Sequence, residues 1–167
     1  MEDTLLARRR EATSIVNTYM GWSAGASFLP VPLLDLAAVT AIQVKMIADL
    51  SDLYEVPFSR NVVKSVIGGL LGSVLPSTLA RSASSLVKAI PGVGSLIGAI
   101  TAPALTSAAT YAVGKVFIQH FEAGGTVLNF DPDGMREHFK HEFDTAVAEQ
   151  QTSTTSKSSS STAKSAA

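Results

Sequence analysis

The sequence predicts an all-α fold: a compact bundle of five or six helices with a Gly/Ala-rich helical hairpin and a disordered C-terminal tail. Three observations carry this expectation. Apolar residues recur at helical spacing, most clearly at Met135, Phe139 and Phe143. No segment alternates strictly between apolar and polar residues with β-branched enrichment. Prolines and glycines interrupt the pattern at intervals suited to helices rather than strands.

The first helix is expected from Thr4, as its N-cap, to about Met20, with Ile15, Tyr19 and Trp22 on its apolar stripe. "GWSAGAS" loosens that pattern before Pro30. Pro30 and Pro32 open a second helix, which runs to about Tyr54. Pro57 then disfavours helix at Val56. Ser59 is positioned to cap a third helix that begins "RNVVKSVIGGLLGSV". Breaks are expected at Pro76 and Pro91, and a long helix over 93–121 should kink at Pro103. The glycines of "EAGGTV" suit a left-handed C-cap. A last helix should start with Asp131 as N-cap and Pro132 at its first position. Residues 150–167 are Ser, Thr, Ala, Lys and Gln, with nothing apolar larger than alanine to bury. The division expected is a helical, membrane-associated domain over 1–149 and a disordered tail over 150–167.

Charged residues make up 16% of the chain, against about a quarter in a typical globular protein. No residue is charged from Ser65 to Ala80, nor from Ile90 to Gly114. Gly68, Gly69 and Gly72 lie in the first stretch, and Gly94 and Gly98 in the second, at spacings that let helices approach closely. As helix, residues 91–114 would reach about 36 Å, more than the roughly 30 Å hydrocarbon core. Much of that run, however, is Ala, Gly, Ser, Thr and Pro, which gain little from lipid. Charge poverty on both helices favours membrane embedding or association. The alternative is a tightly packed soluble core. A net charge of −1 leaves no nucleic-acid footprint. The absence of cysteine excludes disulfides and thiolate metal sites. The N-terminal "MEDTLLARRREATS" has no apolar core of a secretory signal. The expected location is therefore the cytoplasmic side of a membrane, with the cytoplasm as the alternative.

Few residues offer chemistry. Gly92, Gly94 and Gly98 make a poor dinucleotide loop, because no strand precedes them. Gly114-Lys115 is followed by valine where a nucleotide-binding loop needs Ser or Thr for Mg²⁺. His138 and His141, three apart, are weak candidates for a shared metal, since a second pair of ligands has no obvious source. His120 sits where an imidazole complements a helix C-terminus. No cofactor or catalytic residue is assigned, and the chain is read as a non-enzyme. Asp35 projects onto the apolar stripe of the second helix with Val39, Ile42, Met46 and Leu53. Close behind Pro30 and Pro32, it is read as structural, accepting free N–H groups of the first turn. A buried ion pair to Arg60 or Lys64 and a functional site are the alternatives. Gly94 and Gly98 are likewise read as helix-packing positions.

"YMGWSAGASFLPVPLLDLAAVTAIQVKMIADLSDLYEVPFS", "IGGLLGSVLP", "IPGVGSLIGA" and "ATYAVGKVFIQHFEAGGTVLNFDPDGMREHF" together resemble a bacterial family of unknown function. That family occurs alone or C-terminal to Era-like or dynamin-like GTPase domains, and includes YcjF-type inner-membrane proteins. The resemblance covers roughly residues 12–142. It implies a helical, membrane-associated module acting with a separately encoded GTPase, and supplies no catalytic residue. The partners expected are membrane lipid, a GTPase and further copies of the chain, but not nucleic acid. The rival reading is a soluble helical adaptor or homo-oligomer that binds a protein partner.

Overall fold

The computed structural model describes residues 2–26, 32–87 and 102–165, and side chains at 2–25, 37–74 and 103–152. Among these residues the chain is helical and contains no strand. Five α-helices follow in order: α1 (Glu2–Ala26), α2 (Pro32–Tyr54), α3 (Arg60–Val87), α4 (Ala102–Glu122) and α5 (Arg136–Ser165), with a single 3₁₀ turn (Val127–Asn129) before α5. The all-α bundle expected from the sequence is the architecture found. The link between α3 and α4, including Pro91, Gly94 and Gly98, lies outside the described residues.

α1 starts earlier and ends later than its sequence pattern suggested. Glu2 and Asp3 occupy its first turn, where acids suit the helix dipole, so Thr4 lies inside the helix rather than capping it. Its buried line is Ala12, Val16, Tyr19 and Ser23. Ile15 is half-buried, and Trp22, expected inside, is 58% exposed. α2 begins at Pro32 and ends at Tyr54, as expected. Val39, Met46, Ile47 and Leu50 are buried, with Ile42 and Leu53 half-buried against them. α2 closes with Val56 N–H donating to Ser51 O (2.9 Å) and Glu55 N–H to Asp52 O (3.2 Å). That closure holds Glu55 at φ 57°.

Ser59 stands at the start of α3, its carbonyl accepting from Val63 N–H at 3.0 Å. The expected break at Pro76 does not occur: α3 is continuous to Val87. Proline costs one backbone bond and some crowding, but its fixed φ is helical, so a helix already formed can pass through it. The kink expected at Pro103 would lie between α4 and the residues before 102, which are outside the described residues.

α4 is the central helix. Ala108, Thr110, Ala112, Val113, Val116 and Phe117 are all fully buried, and α1, α2 and α5 pack around it. A helix apolar on all sides is buried either in lipid or in protein, and here the covering is protein. Of the charge-free stretch, 107, 108, 110 and 112–114 are buried in the bundle core, and 103–106, 109 and 111 are half-buried. α4 ends at Gly124, with φ +83°, through bonds from Gly124 N–H to Phe121 O and from Gly125 N–H to His120 O. This is the left-handed cap expected of "EAGGTV". Asp131, expected as the N-cap of the last helix, instead closes a local turn, accepting from Asp133 N–H at 3.1 Å. The turn it closes precedes α5, which starts at Arg136, so Pro132 is not the first helical residue. Phe139 and Phe143 are buried and Met135 packs beside them, as their spacing predicts. The helical backbone of α5 continues to Ser165, through the segment expected to be disordered.

Candidate functional site

Two polar constellations stand out, one at an end of the bundle and one inside it. The first joins α1, α2 and α4. Arg9 is in the first half of α1, and Glu122 is the last residue of α4. Arg9 donates from Nε to Glu122 Oε1 (2.9 Å) and from Nη2 to Oε2 (2.6 Å). This two-pronged geometry is what a guanidinium and a carboxylate favour. Tyr54, closing α2, donates its hydroxyl to Glu122 Oε1 at 3.2 Å, and the Arg8 guanidinium lies 5.8 Å from the Tyr54 ring centre. Leu5, Leu6 and Phe121 line the cleft around this group.

The hydrogen bonds from Arg9 hold the Glu122 carboxyl below the usual glutamate range. Burial, reinforced by the Glu122 charge, pushes the Tyr54 phenol up to about 12. Near neutral pH the carboxylate is ionised and the phenol protonated, so neither is poised to exchange a proton. The cluster clamps three helix ends together.

The second constellation is buried. Gln43 Nε2 donates to Thr110 Oγ1 at 3.2 Å, and Thr110 Oγ1 donates to Ser23 Oγ at 2.8 Å. All three residues are fully buried, where α2, α4 and α1 meet. Gln43 Oε1 has no hydrogen-bond partner among the described residues. Between the two constellations, Asp49 of α2 accepts from Lys45 Nζ (2.7 Å) and from the Tyr19 hydroxyl of α1. Burial alone would raise the Asp49 carboxyl, but these two donors overcome it and hold it low.

The residues singled out from sequence do not converge. Asp35 is the fourth residue of α2, in its first turn as expected, but its side chain lies outside the described residues. The same holds for the Pro32 side chain, and Pro30 lies wholly outside. His138 is half-buried, with Nε2 3.7 Å from Glu142 Oε1, while His141 is exposed. Among the described residues no three His, Cys, Asp or Glu side chains are grouped to hold a metal ion. His120 staples the end of α4: Nε2 lies 3.0 Å from Thr126 O and 3.1 Å from Asn129 Oδ1. Both are acceptors, so the tautomer protonated at Nε2 fits. The Arg9–Glu122 clamp gave no sequence signal, because its partners are 113 positions apart.

A family model for a domain of unknown function, DUF697, matches residues 2–148. The chain belongs to that family. The resemblance read from the sequence is thereby borne out. The chain is also 42% identical over 138 residues to magnetosome membrane protein 22 of Magnetospirillum gryphiswaldense, an alignment covering 82% of this chain and 71% of that protein. No solved structure matches the chain.

Proposed function

We propose that this protein is a non-enzymatic, membrane-associated helical module that works beside a separately encoded GTPase, on the cytoplasmic side of a bacterial inner membrane. The observation that carries membrane association is the 42% identity, over most of both chains, to a protein named for a membrane. Among the described residues no helix is long and apolar enough to cross a bilayer. We read the described bundle as attached to the membrane; of the two stretches expected to embed or associate, Ser65–Ala80 lies inside α3, and Ile90–Gly114 is described only from 102. The non-enzymatic reading is supported by Glu122 and Asp49, whose carboxylates are held by Arg9 and Tyr54 and by Lys45 and Tyr19. The GTPase partner follows from the family resemblance.

Fractionation of cells tests this reading. The protein should sediment with membranes, stay there through high salt, and come off in detergent. Charge-held proteins leave in salt, because screening at 1 M shortens the Debye length to about 3 Å. Recovery of the wild-type chain in the soluble fraction after gentle lysis would overturn membrane association. It would favour the second reading, a soluble adaptor or homo-oligomer. Exposed Leu5, Leu6, Phe58 and Leu128 speak for that reading, since apolar side chains left in water suit a protein partner.

A further inference from the structure

We propose that the N-terminal turns of α1 pair with the same turns of a second copy of this chain, antiparallel about Leu6, so that the acidic pair of each copy meets the arginines of the other. This goes beyond the proposed function and does not depend on whether the bundle attaches to a membrane.

The clamp shows how far α1 reaches. Arg9 is level with Glu122, the last residue of α4, and with Tyr54, the last of α2. α1 begins at Glu2, so its first two turns project past the ends of both neighbours. Every residue from Glu2 to Ala7 is exposed. Leu5 is 60% exposed although it lies in line with buried Ala12, Val16 and Tyr19, because the core beneath that line has ended. Leu5 and Leu6 line a cleft with Tyr54 and Phe121, and Phe58, four residues past Tyr54, is exposed at the same end.

Charge decides what covers this projection. The order along it is acid, apolar, base: Glu2 and Asp3, then Leu5 and Leu6, then Arg8, Arg9 and Arg10. Turned end to end, that order is its own complement. Asp3, Leu6 and Arg10 are spaced three and four, so they share one line on the helix. Two copies placed antiparallel about Leu6 set Asp3 of each beside Arg10 of the other, with the two Leu6 side chains together on a two-fold axis. A parallel pair would set like charges together instead. Such self-complementarity is what a two-fold contact between identical chains requires. Glu2, Asp3 and Arg10 have no ion-pair partner among the described residues, so their charges are available to a second copy. A bilayer fits this end less well, because Glu2 and Asp3 lie ahead of the leucines and would have to enter it first. Two turns from each copy make a contact smaller than the roughly 1,000 Å² of a stable interface, so the pairing is weak and rises with concentration.

The chain contains no cysteine, so one introduced thiol reports one contact. In the full chain, Leu6→Cys should give disulfide-linked dimers under mild oxidation. Asn17→Cys, exposed on the same side of α1 but beyond the overlap, should not, whereas a parallel pair would link both. Sedimentation velocity of the cysteine-free chain over rising concentration should show a monomer–dimer equilibrium that weakens in high salt. Asp3→Lys and Arg10→Glu each set like charges across the contact, and each alone should lower the dimer fraction several-fold with helix content unchanged. Mixed one to one, the two variants meet with opposite charges at both places and should recover it. A wild-type chain that stays monomeric at the highest concentration would overturn the proposal and leave Leu5 and Leu6 to a bilayer or another protein. Equal cross-linking at 6 and 17, or a dimer that neither charge reversal weakens, would overturn it as well.

Discussion

Gly114 of α4 lies so close to Val16 of α1 that a β-carbon at residue 114 would stand 2.5 Å from Val16 Cγ2. Both positions are fully buried, so the contact sets how near the two helices can come. Alanine is worth about 1 kcal/mol more than glycine inside a helix. Overpacking against a stiff β-branched side chain costs about 1–3 kcal/mol. The clash should therefore win, and Gly114→Ala should lower the melting temperature. Val16→Ala should recover part of the loss, because it removes the methyls in the way. A double-mutant cycle by thermal melting checks this, and strict additivity would show that the two residues do not meet.

Glu55 ends α2 with φ 57°, a left-handed conformation that costs a side chain about 1–2 kcal/mol. Gly124 ends α4 at φ +83° without that cost. Glu55→Gly should stabilise the fold by about 0.5–1 kcal/mol, part of the gain being offset by the freer unfolded chain. Gly124→Ala should destabilise it by a similar amount. Urea midpoints read both, and a loss on Glu55→Gly would mean that the Glu55 side chain holds something in place.

How much was legible from sequence follows from what each signal depends on. Local signals were reliable at the Gly124 cap and the Phe139–Phe143 stripe, which each depend on residues within a turn or two. Charge poverty in α4 was real, but composition cannot separate burial in lipid from burial among α1, α2 and α5. Trp22 was misplaced because its spacing from Tyr19 fits one stripe, whereas the buried line is set by Ser23. Gly114 was weighed only as part of a failed nucleotide loop. Its use as a close-approach position needs Val16, which is 98 residues away in the chain (114 − 16).

Two groups at the clamp make stability depend on pH in opposite directions. The Glu122 carboxyl is held low by Arg9, so its contribution is present above the unfolded pKa and lost as pH falls through the lower folded value. The Tyr54 phenol is raised to about 12, so its contribution is present below its unfolded value of about 10 and lost as pH climbs from there toward the folded one. Glu122→Gln should flatten part of the acid limb, and Tyr54→Phe part of the alkaline limb. Melting temperatures across pH check this, and an unchanged acid limb in Glu122→Gln would assign acid lability to Asp49 and other carboxylates. Salt should weaken the Glu122 effect, because the Arg9 side chain is 62% exposed.

The tail should divide at Gln150. Its side chain bonds Ser107 of α4, and beyond it the residues are too small and polar to bury useful apolar area. Deleting residues 153–167 should leave melting unchanged, while deletion from 150 onward should cost about 0.5–1.5 kcal/mol for that bond. Amide exchange should be fast beyond 153 and slow at Phe139 and Phe143. A clear drop in melting temperature for the shorter deletion would show that the tail docks.

Gln43 is the one fully buried amide in the described core, and its Oε1 is left without a partner. An unpaired buried acceptor costs about 1–3 kcal/mol, while the bond from Nε2 to Thr110 returns about 1 kcal/mol. Gln43→Met keeps the length of the side chain and removes both groups. Thr110 still donates to Ser23, so no new orphan donor is created. The substitution should be neutral or stabilising by up to about 1 kcal/mol. Thr110→Val should go the other way, since it strands the Gln43 amide Nε2 in the core beside an already unpaired Oε1. Chemical denaturation of the two variants decides the matter. A loss above about 2 kcal/mol on Gln43→Met would show that Oε1 is satisfied in solution, by water bound between α1, α2 and α4.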